Sequence, residues 1–149
     1  MLWLTLEQQL ALHDERGNTL LQLPLQATTL LAAAAGRFPP TPAVLEQAIA
    51  EIEDALMPQL PALAGHSGPV HSRSAGSNAL RAPAGLPPHG SQWLSRHSLE
   101  ALFNRLADAA NGAPLRQLGL PEDLQFAAHL TGLRELLHHA DLDGIWLQE

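Results

Sequence analysis

The sequence predicts an α+β fold: a small antiparallel sheet, made of an N-terminal hairpin and a C-terminal strand, packed against about four helices in the order ββ-αα-loop-αα-β. Three observations carry this. Apolar residues alternate with polar ones at Leu2, Leu4 and Leu6 and again around Leu10 and Leu12. Helical apolar spacing runs through the segments that follow Thr41, Ser95 and Pro121. The chain then closes on Ile145-Trp146-Leu147, a short β-branched and aromatic run.

The hairpin comes first. HDERGN (13–18) supplies turn chemistry, with Gly17 or Asn18 able to take a positive φ, and TLLQLP (19–24) resumes an extended strand. Leu2, Leu4 and Leu6 let the first strand begin at the terminus and bend near Glu7-Gln8-Gln9. Residues 27–35 are Ala- and Leu-rich and predict a helix, with Gly36 in the place of a C-cap glycine. Thr41 can cap a second helix with Pro42 at its first position. There Leu45, Ala48, Ile49, Ile52 and Leu56 share one face and Glu46, Gln47, Glu51, Glu53 and Asp54 the other, until Pro58 ends the helix.

Residues 64–91 change character: Gly, Pro, Ser and Ala dominate and no apolar period survives. The expectation is a flexible loop or linker between two helical halves of one domain spanning 1–149. A third helix starts near Ser95 or Ser98, with Leu99, Leu102, Phe103, Leu106 and Ala110 as its buried stripe. A fourth opens at Pro121-Glu122-Asp123 and buries Phe126, Leu130, Leu133, Leu137 and Ala140, with His138 and His139 in its last turn. A lone terminal strand is unstable, so Ile145–Leu147 should pair with the N-terminal hairpin.

Composition excludes more chemistry than it suggests. The 149 residues contain no Cys, no Tyr and no Lys. Thiolate catalysis, disulfides, zinc–cysteine sites, Schiff bases and the Lys-dependent phosphate loop are thereby removed. The net charge of -7 and the scattered Arg residues argue against nucleic acid, whose affinity needs a basic patch. Met1–Leu12 is apolar but lacks a basic n-region and carries Glu7, and LLAAAA (30–35) is far too short for a membrane span, so a cytoplasmic location is expected.

Eight histidines are many for this length. His66, His71, His89 and His97 could gather around a transition ion, yet their spacings are irregular and no carboxylate lies within 64–91. His129 falls at the margin of the fourth helix's stripe, where it is either satisfied by a backbone carbonyl or faces a pocket as a general base, with Glu122 as its orienter. His139 follows Glu135 by one helical turn, as His138 follows Arg134. His66, His71, His138 and His139 are thus the metal candidates, without a motif to support them, and no cofactor is expected. GHSGP (65–69) begins like a nucleophile elbow but has Pro69 where the second Gly belongs. Trp3 and Trp146 would share the small sheet and, with Leu133, are the candidate contacts to a partner.

No catalytic set converges in the sequence. The favoured expectation is a non-enzymatic binding or assembly module, a homodimer acting through protein–protein contacts. The competing one is a metal-dependent or His-based small-molecule enzyme that uses His129 and the other histidines under a 64–91 lid.

Overall fold

In the computed structural model, which describes residues 1–66 and 68–149, a six-stranded mixed sheet is packed with helices in an α+β arrangement. The elements are β1 (Leu2–Leu6), β2 (Gln9–His13), β3 (Thr19–Pro24), α1 (Ala27–Leu30), α2 (Pro42–Leu56), β4 (Val70–Ser72), α3 (Ala75–Asn78), β5 (Gln92–Ser95), α4 (Arg96–Ala110), α5 (Leu124–His139) and β6 (Gly144–Leu147). The strand order is β3-β2-β1-β4-β6-β5. β1, β2 and β3 form an antiparallel meander, β4 runs parallel to both β1 and β6, and β5 pairs antiparallel with β6.

The meander follows from its turns. The first is only Glu7-Gln8, and the Gln8 carbonyl accepts from Leu25 N at 2.9 Å. In the second, the Asp14 carboxylate accepts from Arg16 N and Asn18 N, each at 2.9 Å, and Gly17 supplies φ +85°. Donation by Asn18 holds the Asp14 carboxyl below its ordinary range. The predicted hairpin is thus a three-stranded unit whose Leu2, Leu4, Leu6, Leu10, Leu12, Leu21 and Leu23 all point into the core.

Three expectations need correction. Ile145–Leu147 does not pair with the hairpin: β6 lies between β4 and β5, and β4 separates it from β1. The sheet is therefore mixed, not antiparallel. Residues 64–91, expected to lack regular structure, carry β4 and α3. A three-residue strand is too short to leave a readable period, and polar bonds rather than an apolar stripe fix this segment. The buried Arg81 donates to Asn78 Oδ1 at 2.6 Å, to Pro87 O at 3.0 Å and to Gly90 O at 2.6 Å. Asn78 Nδ2 in turn donates to Gln148 O at 2.7 Å, tying the segment to the end of β6. The helix predicted over 27–35 is shorter too, a single turn followed by a 3-10 turn at Ala32–Ala34.

The helix starts at Thr41 and Ser95 behave as the sequence predicts, whereas the last helix begins at Leu124, after the Pro121-Glu122-Asp123 expected as its first turn, with Asp123 as its cap. Thr41, Ser95 and Asp123 accept from Val44 N at 3.3 Å, Ser98 N at 3.0 Å and Gln125 N at 2.8 Å. α5 exceeds expectation in burial. Phe126 to Leu133 are buried without a break, because α1, α2 and α4 all pack around this helix above the sheet. Leu25 closes on Gly132, where an added Cβ would lie 2.6 Å from a Leu25 methyl. Arg134 joins α5 to α4 by a two-pronged bond to Glu100 at 2.9 and 3.0 Å, with its guanidinium 4.3 Å above the Phe103 ring. That pairing holds the Glu100 carboxyl below its ordinary range and raises Arg134 further.

Candidate functional site

In open α/β sheets ligands bind beyond the carboxyl ends of parallel strands, and β1, β4 and β6 form such a parallel centre within this mixed sheet. Here that edge is formed by the Glu7-Gln8 turn after β1, by Ser74–Ser77 after β4 and by Gln148-Glu149 after β6. Its centre is a triangle of hydroxyls. Ser72 and Ser77 Oγ lie 2.7 Å apart, Ser74 and Ser77 Oγ 3.0 Å, and Ser72 and Ser74 Oγ 3.1 Å. Ser72 Oγ also donates to Leu4 O at 2.8 Å, and Ser74 Oγ accepts from Leu6 N at 3.0 Å. The triangle therefore stitches β4 and α3 to β1.

Gly76 makes this junction possible. A Cβ built there would approach the Leu6 carbonyl oxygen to well under 3.0 Å and the His129 ring to 3.1 Å. His129 completes the junction from α5. It is 9% exposed, and its Nε2 is bonded to the Glu7 carbonyl oxygen. A carbonyl only accepts, so Nε2 carries the proton and Nδ1 the lone pair, packed against Gly76. Burial lowers the His129 pKa from the ordinary 6.5, opposed by the Glu7 bond and by the Asp123 charge.

Of the two catalytic candidates, His129 thus clamps the β1–β2 turn and faces packed backbone. Glu122 stands exposed ahead of α5 with no hydrogen bond to it. The metal candidates are dispersed. His66 is exposed near the Pro69 end of β4, and His138 is exposed on α5. His71 lies on the sheet face opposite the leucine core, its Nδ1 2.8 Å from Gln148 Nε2. His139 meets Glu135 and Glu53. His89 pairs with Glu149 at 2.6 Å, which lowers the Glu149 carboxyl pKa. Ser67 of the GHSGP stretch lies outside the described residues.

Leu133 is corrected as a partner contact: it is completely buried. Trp3 and Trp146 do share a sheet face. In register, His13, Trp3, His71, Trp146 and Trp93 form a row across it. Trp3 and His71 centroids lie 5.2 Å apart, as do Trp93 and Trp146, and Arg73 sits 4.5 Å over Trp3. Sequence reading missed the serine triangle and Gly76. Their only signal was a Ser/Gly-rich stretch, which reads equally as a linker.

No protein-family model matches this sequence, and no curated protein matches it. Among described residues, no helix is long and apolar enough to cross a membrane. Solved structures do match in fold. The crystal structure of the type II variant of the Aquifex aeolicus Ppx/GppA phosphatase superposes with a TM-score of 0.66 at 10% identity, over 99% of this chain and 52% of that one. A second structure, of the Aquifex aeolicus PPX-GPPA enzyme, gives 0.67 at 11% identity with the same coverages. A third, of the Aquifex aeolicus member of the Ppx/GppA family, gives 0.64 at 10% over 99% and 51%. The chain spans about half the length of the solved structures it matches, and shares with them its fold.

Proposed function

We propose that the chain is one lobe of a phosphatase-type enzyme that handles a phosphate ester or anhydride at the carboxyl edge of β1, β4 and β6. The observation that supports this best is the fold itself, which superposes over 99% of the chain on about half of each solved phosphatase structure. Glu7 and Glu149 border the edge on either side of the serine triangle. Two carboxylates repel bare phosphate, so the ligand this edge suits is a magnesium–phosphate complex. The second wall of the cleft would come from a further lobe, on this chain's continuation or another chain.

The test is amide NMR of the isotope-labelled chain titrated with magnesium pyrophosphate. Shifts confined to the Glu7-Gln8 turn, Ser74–Ser77 and Gln148-Glu149 are expected. An unperturbed edge at millimolar ligand overturns the reading.

The second reading is an assembly module without catalysis. What favours it is that the serine triangle and His129 spend their hydrogen bonds on the protein, while Trp93 at the end of the aromatic row is exposed. A homodimer mass in native mass spectrometry, together with loss of the dimer on Trp93→Ser, would support it. A monomer at all concentrations would sink it.

A further inference from the structure

The α2–α5 contact brings together three groups that neither reading above uses. Glu135 and His139 stand one helical turn apart on α5, and Glu53 reaches them from α2. His139 Nε2 lies 3.1 Å from Glu135 Oε2 and 3.6 Å from Glu53 Oε1, and one ligand atom from each residue falls within 4.8 Å of the others. We propose that this cluster is a site for a divalent first-row transition ion, zinc in the first instance, held by His139 Nε2, Glu135 Oε2 and Glu53 Oε1.

Three features point to a cation rather than to an ion-pair network alone. First, His139 Nε2 is buried yet has no hydrogen-bond partner, because its approach to Glu135 is misaligned for an N–H···O bond. A buried ring nitrogen without a partner is costly, and a metal would satisfy its lone pair. Second, the spacing is right. Ligands about 2.05 Å from a tetrahedral ion stand roughly 3.3 Å from one another, between the two distances observed.

Third, the charges balance. Glu135 is nearly fully buried, and its other oxygen takes Arg134 NH1 at 3.1 Å, which orients the carboxylate. Arg134 shares its one positive charge between Glu100 on α4 and Glu135, so together with Glu53 these three carboxylates keep two net negative charges for a divalent ion. The Glu53 side chain is 42% exposed, which gives the ion a path from solvent and leaves its remaining position to water. One nitrogen and two oxygens form a borderline donor set suited to zinc, with manganese and iron as weaker competitors.

The experiment is calorimetric titration of chelator-treated protein with Zn²⁺, paired with visible absorption after Co²⁺ loading. One ion per chain is expected, with Co²⁺ bands of low-coordinate character. Glu53→Gln and His139→Asn should each weaken zinc at least tenfold and alter the Co²⁺ spectrum, while His138→Asn, one residue away, should change neither. Glu53 is partly exposed, so its substitution leaves folding intact and keeps the test readable should a Glu135 variant fail to fold. Absence of stoichiometric zinc in the unaltered chain overturns the proposal. So does zinc affinity in Glu53→Gln and His139→Asn that is unchanged from the parent, which would assign the ion to surface histidines.

Discussion

Gly76→Ala tests the idea that close contact between α3 and the end of β1 organises the carboxyl edge. The new methyl would overlap the Leu6 carbonyl, which is fixed by its place in the sheet. Relief requires moving α3 outward by about 1 Å. Overpacking of this kind costs about 1–3 kcal/mol. The shift also strains the Leu6 N–Ser74 Oγ bond at 3.0 Å, and the methyl, 3.1 Å from the His129 ring, strains the His129–Glu7 bond, worth about 1 kcal/mol each. Alanine returns about 1 kcal/mol through its helical preference over glycine. The net loss is about 3 kcal/mol. With a urea m-value of about 2 kcal/mol/M, the midpoint should fall by about 1.5 M.

Gly132→Ala is the control. The nearest neighbours of its methyl all belong to the Leu25 side chain, at 2.6, 2.7 and 3.2 Å, and none to backbone. That end can turn away at a cost of about 1–2 kcal/mol, offset by about 1 kcal/mol of helix propensity in the middle of α5. Its midpoint should move by less than about 0.5 M. Equal losses in the two variants, or an unchanged Gly76→Ala midpoint, would refute the argument that backbone contact at Gly76 sets the junction.

Acidification should destabilise the fold in two stages. The His129 pKa is lowered on folding, so its contribution is complete above the ordinary 6.5 and is lost as pH falls through the folded value. His71, lowered by burial and by the N-terminus and Arg73, acts with the same sign. Glu100, lowered by Arg134, contributes above the ordinary 4.5 and is lost below it. Urea midpoints from pH 8 to 3 should show both stages, and His129→Gln should flatten the upper one; an unaltered upper slope excludes His129 as its source. Arg134→Met keeps the packing on Phe103 but leaves buried Glu135 without its cation. A loss of about 3 kcal/mol is expected, and a midpoint within error of the parent would show that Glu135 is neutralised by other means.

The local features with short-range causes were legible in the sequence. Thr41 and Ser95 start their helices because an N-cap needs only a hydroxyl and the next three amides. The alternation of Leu2, Leu4, Leu6, Leu10 and Leu12 fixes which face of the meander enters the core, since side chains alternate along any strand. The α+β class follows from those periods. The features set by packing between elements are long-range. β4 has three residues and no period, yet it is the strand that joins the meander to β6 and makes the sheet mixed. Its place is set by Ser72 and Asn78, whose partners Leu4 and Gln148 lie 68 and 70 residues away, while Arg81 closes the segment on itself through Pro87 and Gly90. Likewise Glu135 and His139 share a turn that the sequence displays, but Glu53 is more than eighty residues away, and only the packing of α2 on α5 unites them. Periodicity reports what one element buries. It carries no information on which elements meet, because that is settled by the shared burial of the whole core.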